Sequence, residues 1–181
     1  MAEPVAARLV RMDASHLSAT LRWLQDPELR RQVDSLSAPT EETNAAYWRV
    51  RWRDPEREDY AILALDDRHV GNCGLCHIDR HRRKAELWIY LGEATARGRG
   101  IGRAAVEALL RRAFDELGLY RVYLRVAADN PAAARFYERL GFLAEGRWRA
   151  DTWHDGRPVD SLWYSLLAGE PFGRFQPCTD S

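Results

Sequence analysis

Three glycines and three arginines alternate in residues 96–104, which read Ala-Arg-Gly-Arg-Gly-Ile-Gly-Arg-Ala. Glycine lets another molecule approach the backbone closely, and arginine attracts anions. A strand-like run precedes this stretch and a helix-like run follows it. Because the first N–H groups of a helix face outward and bind phosphate groups, the stretch predicts a phosphate cradle at a strand-to-helix turn.

Other glycine-rich motifs fit this stretch less well. A dinucleotide fingerprint needs glycine at its sixth position, and the sixth residue counted from Gly98 is Arg103. A nucleoside-triphosphate loop ends in Gly-Lys-Ser/Thr, whereas Gly102 is followed by Arg103. An RNA-binding arginine–glycine tract is usually long and disordered, but this one continues into an amphipathic helix. A turn without a ligand stays open as an alternative, although it does not explain the arginines.

The composition predicts one globular domain. The chain has 181 residues, 46% of them hydrophobic, with 27 basic and 27 acidic side chains. A nucleic-acid binder usually has a basic excess, so we expect no nucleic-acid partner. No apolar run approaches the roughly 20 residues of a membrane span, and the N-terminus lacks a signal-peptide pattern. Three cysteines do not form a disulfide framework, and we expect a cytoplasmic protein without a membrane partner.

Apolar periodicity and turn residues predict an α/β fold with a mixed, mostly antiparallel sheet flanked by helices. Helices are predicted after Asp13, with Leu17, Leu21 and Leu24 inward, after Thr40, after the glycines and after Asn130. The predicted strands are residues 5–11, 60–65, 70–78, 85–91, 120–127, 147–152 and 159–166. The sequence predicts a domain over residues 1–167 and a tail over 168–181.

Two segments resemble the GNAT superfamily of acyl-CoA-dependent N-acyltransferases. Residues 97–102 fit its pyrophosphate loop, which has Gln or Arg, two variable residues, Gly, one variable residue, then Gly or Ala. Residues 130–142, Asn-Pro-Ala-Ala-Ala-Arg-Phe-Tyr-Glu-Arg-Leu-Gly-Phe, resemble the helix after its fifth strand. Residues 145–165 resemble the closing hairpin of a branch with spermidine, ribosomal-protein N-terminal and nucleotide-sugar amino-acetyltransferases. Residues 24–28 resemble that branch more loosely.

The resemblance implies acetyl-CoA as cosubstrate, an amine as acceptor and no metal. The loop amides would hold the pyrophosphate, and the end of the preceding strand would pair with the pantetheine arm. A free N–H of that strand would also stabilise the oxyanion. The residues so assigned to acetyl-CoA are Ile89, Tyr90, Leu91, Arg97, Gly98, Arg99, Gly100, Ile101, Gly102, Arg103, Asn130 and Tyr137.

Two residues are candidates for the catalytic proton transfers. Tyr137 matches the family's general acid, which protonates the leaving thiolate; otherwise it is a packing aromatic. Glu86, on the strand before the glycines, is a candidate base for the protonated amine, since burial favours a carboxylate that binds a proton. The alternatives are that Glu86 forms an ion pair with an arginine of a neighbouring strand and that water serves as the base.

Residues 73–77, Cys-Gly-Leu-Cys-His, spell a c-type haem attachment pattern. A strand here places Cys73 and Cys76 on opposite faces, so we interpret them as small strand residues. A zinc site of Cys73, Cys76, His77 and His81 has suitable ligand types but is not favoured.

Several side chains could meet the acceptor amine. Trp23, Trp48, Trp52 and Trp153 could line its pocket, although core packing is the alternative. The carboxylates of Asp26, Glu28 and Asp34 could attract a cation, or they could lie at an exposed helix end. Residues 80–84 predict a solvated basic turn, with contact to the CoA 3′-phosphate as the alternative.

These observations favour an enzyme that acetylates a primary amine of a small molecule such as a polyamine, amino sugar or antibiotic. A protein N-terminal acetyltransferase is the first alternative. A non-catalytic acyl-CoA-binding domain is the second, and the intact Tyr137 and loop disfavour it. A homodimer is compatible with the sequence.

Overall fold

The computed structural model describes residues 7–33 and 37–172 as a seven-stranded sheet in the order β1-β2-β3-β4-β5-β7-β6. The strands are β1 Arg8–Arg11, β2 Glu58–Leu63, β3 His69–Asp79, β4 Lys84–Leu91, β5 Arg121–Ala127, β6 Leu143–His154 and β7 Arg157–Leu167. The helices are α1 Leu17–Trp23, α2 Pro27–Gln32, α3 Glu41–Arg51, α4 Ile101–Arg111 and α5 Pro131–Arg139. The mixed, mostly antiparallel sheet flanked by helices confirms the predicted fold class.

The central pair, β4 and β5, is parallel, and every other neighbouring pair is antiparallel. The pairing of β4 with β5 covers only residues 84–86 and 121–123. Both strands continue beyond it, β4 to Leu91 and β5 to Ala127. The two central strands therefore separate toward their carboxyl ends, and a gap opens in the middle of the sheet.

The helices cover both faces of the sheet. Since strand side chains alternate between faces, Leu87 lies in the core with Leu109 of α4, on the face that also carries α5. The opposite face carries α1 and α3, where the rings of Trp48 and Trp88 lie 6.2 Å apart. The gap thus connects an α4/α5 face to an α1/α3 face.

Several element boundaries agree with the predicted caps. Thr40 and Asn130 cap α3 and α5 through their side-chain oxygens. The helix predicted after Asp13 begins as a short 3-10 turn, and its buried residues are Thr20 and Trp23, whereas the predicted inward leucines are only partly buried. The break predicted at residues 26–27 is also the start of a separate helix, α2, because the Asp26 side chain accepts from the N–H of Glu28.

The C-terminal hairpin turns at Asp155 and Gly156, where φ is +51° and +74°, as the sequence predicts. Beyond it, the Phe172 ring lies 6.2 Å from that of Phe114, so packing extends past residue 167. The first residues of the predicted first strand and the last nine residues of the predicted tail lie outside the described part. Among the described helices, none has the length and apolar character needed to cross a membrane.

Candidate functional site

The open side of β4 carries backbone groups that no strand pairs with. The N–H of Gly92 donates to the carbonyl of Val70 at 2.9 Å. In an antiparallel pair, alternate residues bond to the partner or point away from it. It follows that Ile89 and Leu91 direct their N–H and C=O groups into the gap, whereas the backbone of Tyr90 pairs with β3.

An extended molecule with amide groups could replace the missing strand along this edge. The Leu91 carbonyl accepts from the Arg97 guanidinium at 3.2 Å, so that predicted loop residue already contacts the end of β4. The N–H groups of Ile89 and Leu91 remain directed into the gap as donors. The Tyr90 side chain lines this edge of the gap, and its hydroxyl accepts a hydrogen bond from Asn72 at 2.7 Å. Burial raises the pKa of Tyr90 to about 12.

The glycine loop places backbone N–H donors at the mouth of the gap. Gly98 and Gly100 have φ of +70° and +78°, a conformation that favours glycine. Gly100 is the N-cap of α4, and no side chain caps this end. Within α4, the N–H of Ala104 bonds to the Gly100 carbonyl at 3.0 Å, so the N–H groups of residues 101–103 lie in the uncapped first turn.

The three loop arginines have different contacts. Arg97 holds the Leu91 carbonyl, and Arg103 pairs with Glu107 at 2.8 Å. Arg99 is exposed and has no ion-pair or hydrogen-bond partner within the described ranges. Together with the uncapped helix end, this arrangement can bind an anion such as a diphosphate.

Gly102→Glu should weaken acetyl-CoA binding by about tenfold or more, a free-energy loss of ~1.4 kcal/mol. A Cβ at Gly102 lies 3.7 Å from Phe136 and 3.8 Å from Leu91, which is ordinary contact, so the residue fits. The added carboxylate competes for the first-turn N–H groups and repels phosphate. Calorimetry with Gly102→Ala as the matched control measures the change, and equal affinity in both variants would remove the loop from the site.

Tyr137 lies on α5 in the face that α4 also covers. It is 8% exposed, and its ring packs edge-on against Phe136 and Phe142 at 5.1 and 5.7 Å. Its hydroxyl has no hydrogen-bond partner among the described residues. Burial, together with the nearby Cys73 thiol, raises the pKa of Tyr137 well above its usual range. A phenol that keeps its proton and lacks a partner is suited to donate to a bound atom.

Glu86 lies on the opposite face, at the point where β4 and β5 separate. It is paired with Tyr123 in the last register position before the gap, and its side chain is 19% exposed. One carboxylate oxygen lies 3.0 Å from Nδ1 of His77. The neighbouring-strand partner is therefore a histidine rather than the arginine considered from the sequence, and the carboxylate remains partly open.

The α1/α3 face beside the gap contains a cluster that the sequence did not single out. The Arg51 guanidinium lies 4.9 Å from the ring centres of Tyr47 and Trp48 and 5.2 Å from that of Trp88. It also pairs with the buried Asp59 at 3.1 Å. Aromatic faces and a carboxylate bind cations, so this face already accommodates a positively charged group. The spacing of Trp48 and Arg51 on one helical face was the available sequence signal.

The tryptophans and carboxylates that were candidates for contact with the acceptor amine differ in burial and in their partners. Trp23 and Trp48 are buried, Trp52 is 38% exposed, and Trp153 is 61% exposed on the outer hairpin. Asp26 caps α2 and Glu28 pairs with Arg31, while Asp34 lies outside the described residues. Trp23 and Trp48 are the predicted tryptophans that lie against β4, with ring centres 6.4 Å from Tyr90 and 6.2 Å from Trp88, respectively.

The basic turn at residues 80–83 is exposed, and Arg82 pairs with Asp79 at its edge. It precedes β4, whereas the glycine loop follows β4, so the two lie at opposite ends of the strand. This placement favours a solvated turn over a turn that contacts the CoA 3′-phosphate.

The zinc set of Cys73, Cys76, His77 and His81, which the sequence analysis did not favour, does not come together. Cys73 is fully buried on the α4/α5 face, and Cys76 lies on the other, as alternation in a strand requires. Cys76, His77 and Glu86 instead place one ligand atom each within 4.8 Å of one another. Burial, with the Glu86 charge, raises the pKa of Cys76 to about 11.

A mixed sheet that opens between its central parallel strands, with a glycine-rich turn before α4, is the fold of an acyltransferase family. The acetyltransferase (GNAT) domain family matches residues 7–143. The chain belongs to the GNAT acetyltransferase family and is an acetyltransferase enzyme.

Proteins similar to this chain include ribosomal and spermidine N-acetyltransferases. The "Putative ribosomal N-acetyltransferase YdaF" of Bacillus subtilis is 31% identical over 165 residues, covering 91% of this chain and 87% of that protein. The spermidine N(1)-acetyltransferase of Vibrio cholerae is 33% identical over 105 residues, covering 58% and 60%. The crystal structure of spermidine N-acetyltransferase from Vibrio cholerae with CoA and spermine has a TM-score of 0.85 and covers 91% and 96% at 21% identity, which shows a shared fold.

Proposed function

We propose that this enzyme transfers the acetyl group of acetyl-CoA to a primary amine of a small cationic molecule. The observation that carries the proposal is the gap between β4 and β5. Tyr137 flanks it on the α4/α5 face, and Glu86 flanks it on the α1/α3 face. A thioester threaded through the gap would have a proton donor on its sulfur side and a proton acceptor on the side that receives the amine.

The binding role is divided between the glycine loop and the edge of β4. The first-turn amides of α4 and the side chain of Arg99 hold the diphosphate. The gap-facing groups of Ile89 and Leu91 pair with the pantetheine amides as a missing strand would. Asn130 supports this arrangement indirectly, because its side chain caps α5 by accepting from the N–H of Ala133 at 3.1 Å.

Three groups then carry the reaction. Glu86 accepts a proton from the ammonium, directly or through water, and the neutral amine attacks the thioester carbonyl carbon. The N–H of Ile89 or Leu91, whichever the pantetheine amides leave unpaired, stabilises the negative charge that develops on the carbonyl oxygen. Tyr137 donates its proton to sulfur as the C–S bond breaks, and the acylated nitrogen gives up its remaining extra proton to water. Tyr137 then regains a proton and Glu86 loses one by exchange with water, so the products are an amide, free CoA and one released proton.

A polyamine is the acceptor class that we favour. On the α1/α3 face, Arg51 stacks on Trp88 and pairs with Asp59, and the partly exposed carboxylate of Glu86 is the group that a cationic amine could approach. A polyamine fits this chemistry, and relatives named as spermidine N(1)-acetyltransferases support it.

A protein N-terminal amine is the second candidate acceptor. The likeness to YdaF, which covers most of both chains, favours it. Both candidates use the same donor site and differ only in what approaches from the α1/α3 face.

The test is release of free CoA thiol from acetyl-CoA in the presence of separate amines. Spermidine, an amino sugar and a short peptide with a free N-terminus represent the candidate classes, and mass spectrometry identifies the acetylated product. Turnover highest with spermidine supports the polyamine proposal, whereas preference for the peptide replaces it with the second candidate. Tight acetyl-CoA binding without turnover of any amine would contradict both and favour a non-catalytic binder.

A further inference from the structure

We propose that Cys76, His77 and Glu86 form a binding site for a thiophilic divalent metal ion such as Zn²⁺, and that the bound ion inhibits acetyl transfer by occupying the Glu86 carboxylate. The ligands are Sγ of Cys76, Nδ1 of His77 and one carboxylate oxygen of Glu86. The inhibitory part rests on the proposed function of Glu86, whereas the binding part does not.

A β-bulge brings these side chains to one face. Cys76 pairs with Glu86, but the next register pair is Asp79 with Lys84, so β3 has an extra residue at this point. His77 takes the left-handed conformation, with φ of +50°. Neighbouring strand residues normally point to opposite faces, and the bulge turns His77 toward Glu86 while Ile78 returns to the core.

The distances and donor types suit zinc. The three ligand atoms lie within 4.8 Å of one another, and His77 Nδ1 is 3.0 Å from the Glu86 oxygen. Ligands of a tetrahedral zinc are about 3.3–3.8 Å apart, given bonds of about 2.0–2.3 Å. The His77 side chain is 67% exposed, so it can make the small movement that closes the site. A thiolate with an imidazole selects zinc or cobalt over magnesium or calcium.

The charges around Cys76 permit a cation. Arg57 and Arg51 act on its sulfur, and both are paired with the buried Asp59, at 3.4 and 3.1 Å. Asp59 balances one of these two guanidinium charges, so one positive charge remains near the sulfur and opposes the cation. Glu86 and the Cys76 thiolate then supply two negative charges to a dication, and the thiol proton leaves to solvent.

The binding test uses the full chain with Cys178 replaced by serine, so that this third cysteine contributes no signal. The chelator-treated protein is titrated with Co²⁺ and followed by the charge-transfer absorption of a cobalt–thiolate bond. We expect a one-to-one titration that Zn²⁺ reverses and Mg²⁺ does not. Cys76→Ser should abolish the band, and His77→Ala should weaken binding about tenfold or more, since one of three ligands is lost.

His81→Ala is the matched control, because His81 is an exposed histidine of the adjacent loop and not a ligand. Its titration should equal that of the parent. A band that persists in Cys76→Ser, or no band in the parent, would overturn the site whether or not the protein acetylates amines.

The inhibition test measures turnover of the accepted amine as Zn²⁺ increases. Activity should fall with the same affinity that the titration gives, and Cys76→Ser should need about tenfold or more Zn²⁺ for the same loss. Full activity of the zinc-saturated parent would overturn the inhibitory role. The cobalt titration stands apart from this result, so failure of the proposed catalytic function is distinguishable from failure of the metal site.

Discussion

Tyr137→Phe should lower kcat by about 10²–10⁴-fold, the range for loss of a positioned general acid, while acetyl-CoA affinity stays near that of the parent. The substitution removes one hydroxyl and preserves the ring that packs against Phe136 and Phe142. The missing proton matters at the step where the C–S bond breaks, because CoA leaves less readily as an unprotonated thiolate than as a thiol. Single-turnover kinetics with calorimetry separates this chemical effect from binding.

Tyr164→Phe is the matched control. Tyr164 is also buried beneath α5, but its hydroxyl donates to Glu138 at 3.0 Å and is therefore already used within the fold. Its loss should affect stability more than turnover. Parent-like turnover in Tyr137→Phe, measured where chemistry limits the rate, would reduce Tyr137 to a packing residue.

The raised pKa of Tyr137 gives this prediction a pH signature. Burial favours the neutral phenol, so the acid form persists to higher pH than in an ordinary tyrosine. The rate should therefore stay constant with respect to this proton as the pH rises past neutrality. It should fall only when the pH is well above the ordinary pKa of tyrosine. An alkaline limb near pH 10, absent in Tyr137→Phe, would show that the hydroxyl titrates as an exposed phenol.

Glu86→Gln should lower turnover at neutral pH by about 10²-fold or more, the lower end of the effect of a general base. The glutamine amide keeps the shape of the glutamate side chain and its position beside His77, but it cannot accept the proton of the ammonium group. Activity should recover as pH rises, because the acceptor then supplies its own neutral amine. The pH dependence of turnover, recorded with the melting temperature, measures both roles.

Glu145→Gln provides the comparison for simple loss of an ion pair. Glu145 of the edge strand β6 pairs with Arg121, the first residue of the central strand β5, at the end of the β4–β5 pairing that lies away from the gap. A structural role of Glu86 predicts a lower melting temperature with an unchanged pH profile, as for Glu145. If Glu86→Gln keeps the parent's rate and profile, water or another group is the base.

Much of the fold could be predicted from the sequence because its signals are local. Thr40 and Asn130 mark helix starts through their own side chains, and Asp155-Gly156 marks a hairpin turn through its backbone preference. The glycine loop is equally local, since residues 98–102 and the helix after them are continuous. These are positions where neighbours in the chain decide the conformation.

The remaining features depend on partners distant in sequence. The His77 contact of Glu86 requires a bulge that only the register between β3 and β4 reveals. The cluster around Arg51 joins α3 to β2 and β4, so no single segment indicates it. The gap itself follows from the early end of the pairing between two strands that α4 separates in the chain. Each of these features depends on the pairing of residues that are distant in the chain. Such pairing cannot be read from the local pattern of a single sequence.

A crystal structure of the enzyme with CoA tests the central claim most directly. We expect the pantetheine arm to lie in the gap, paired with Ile89 and Leu91. The diphosphate should lie on the first-turn amides of α4, and the sulfur should lie within hydrogen-bond reach of the Tyr137 hydroxyl. CoA bound elsewhere, or a sulfur remote from Tyr137 with the gap still empty, would contradict it.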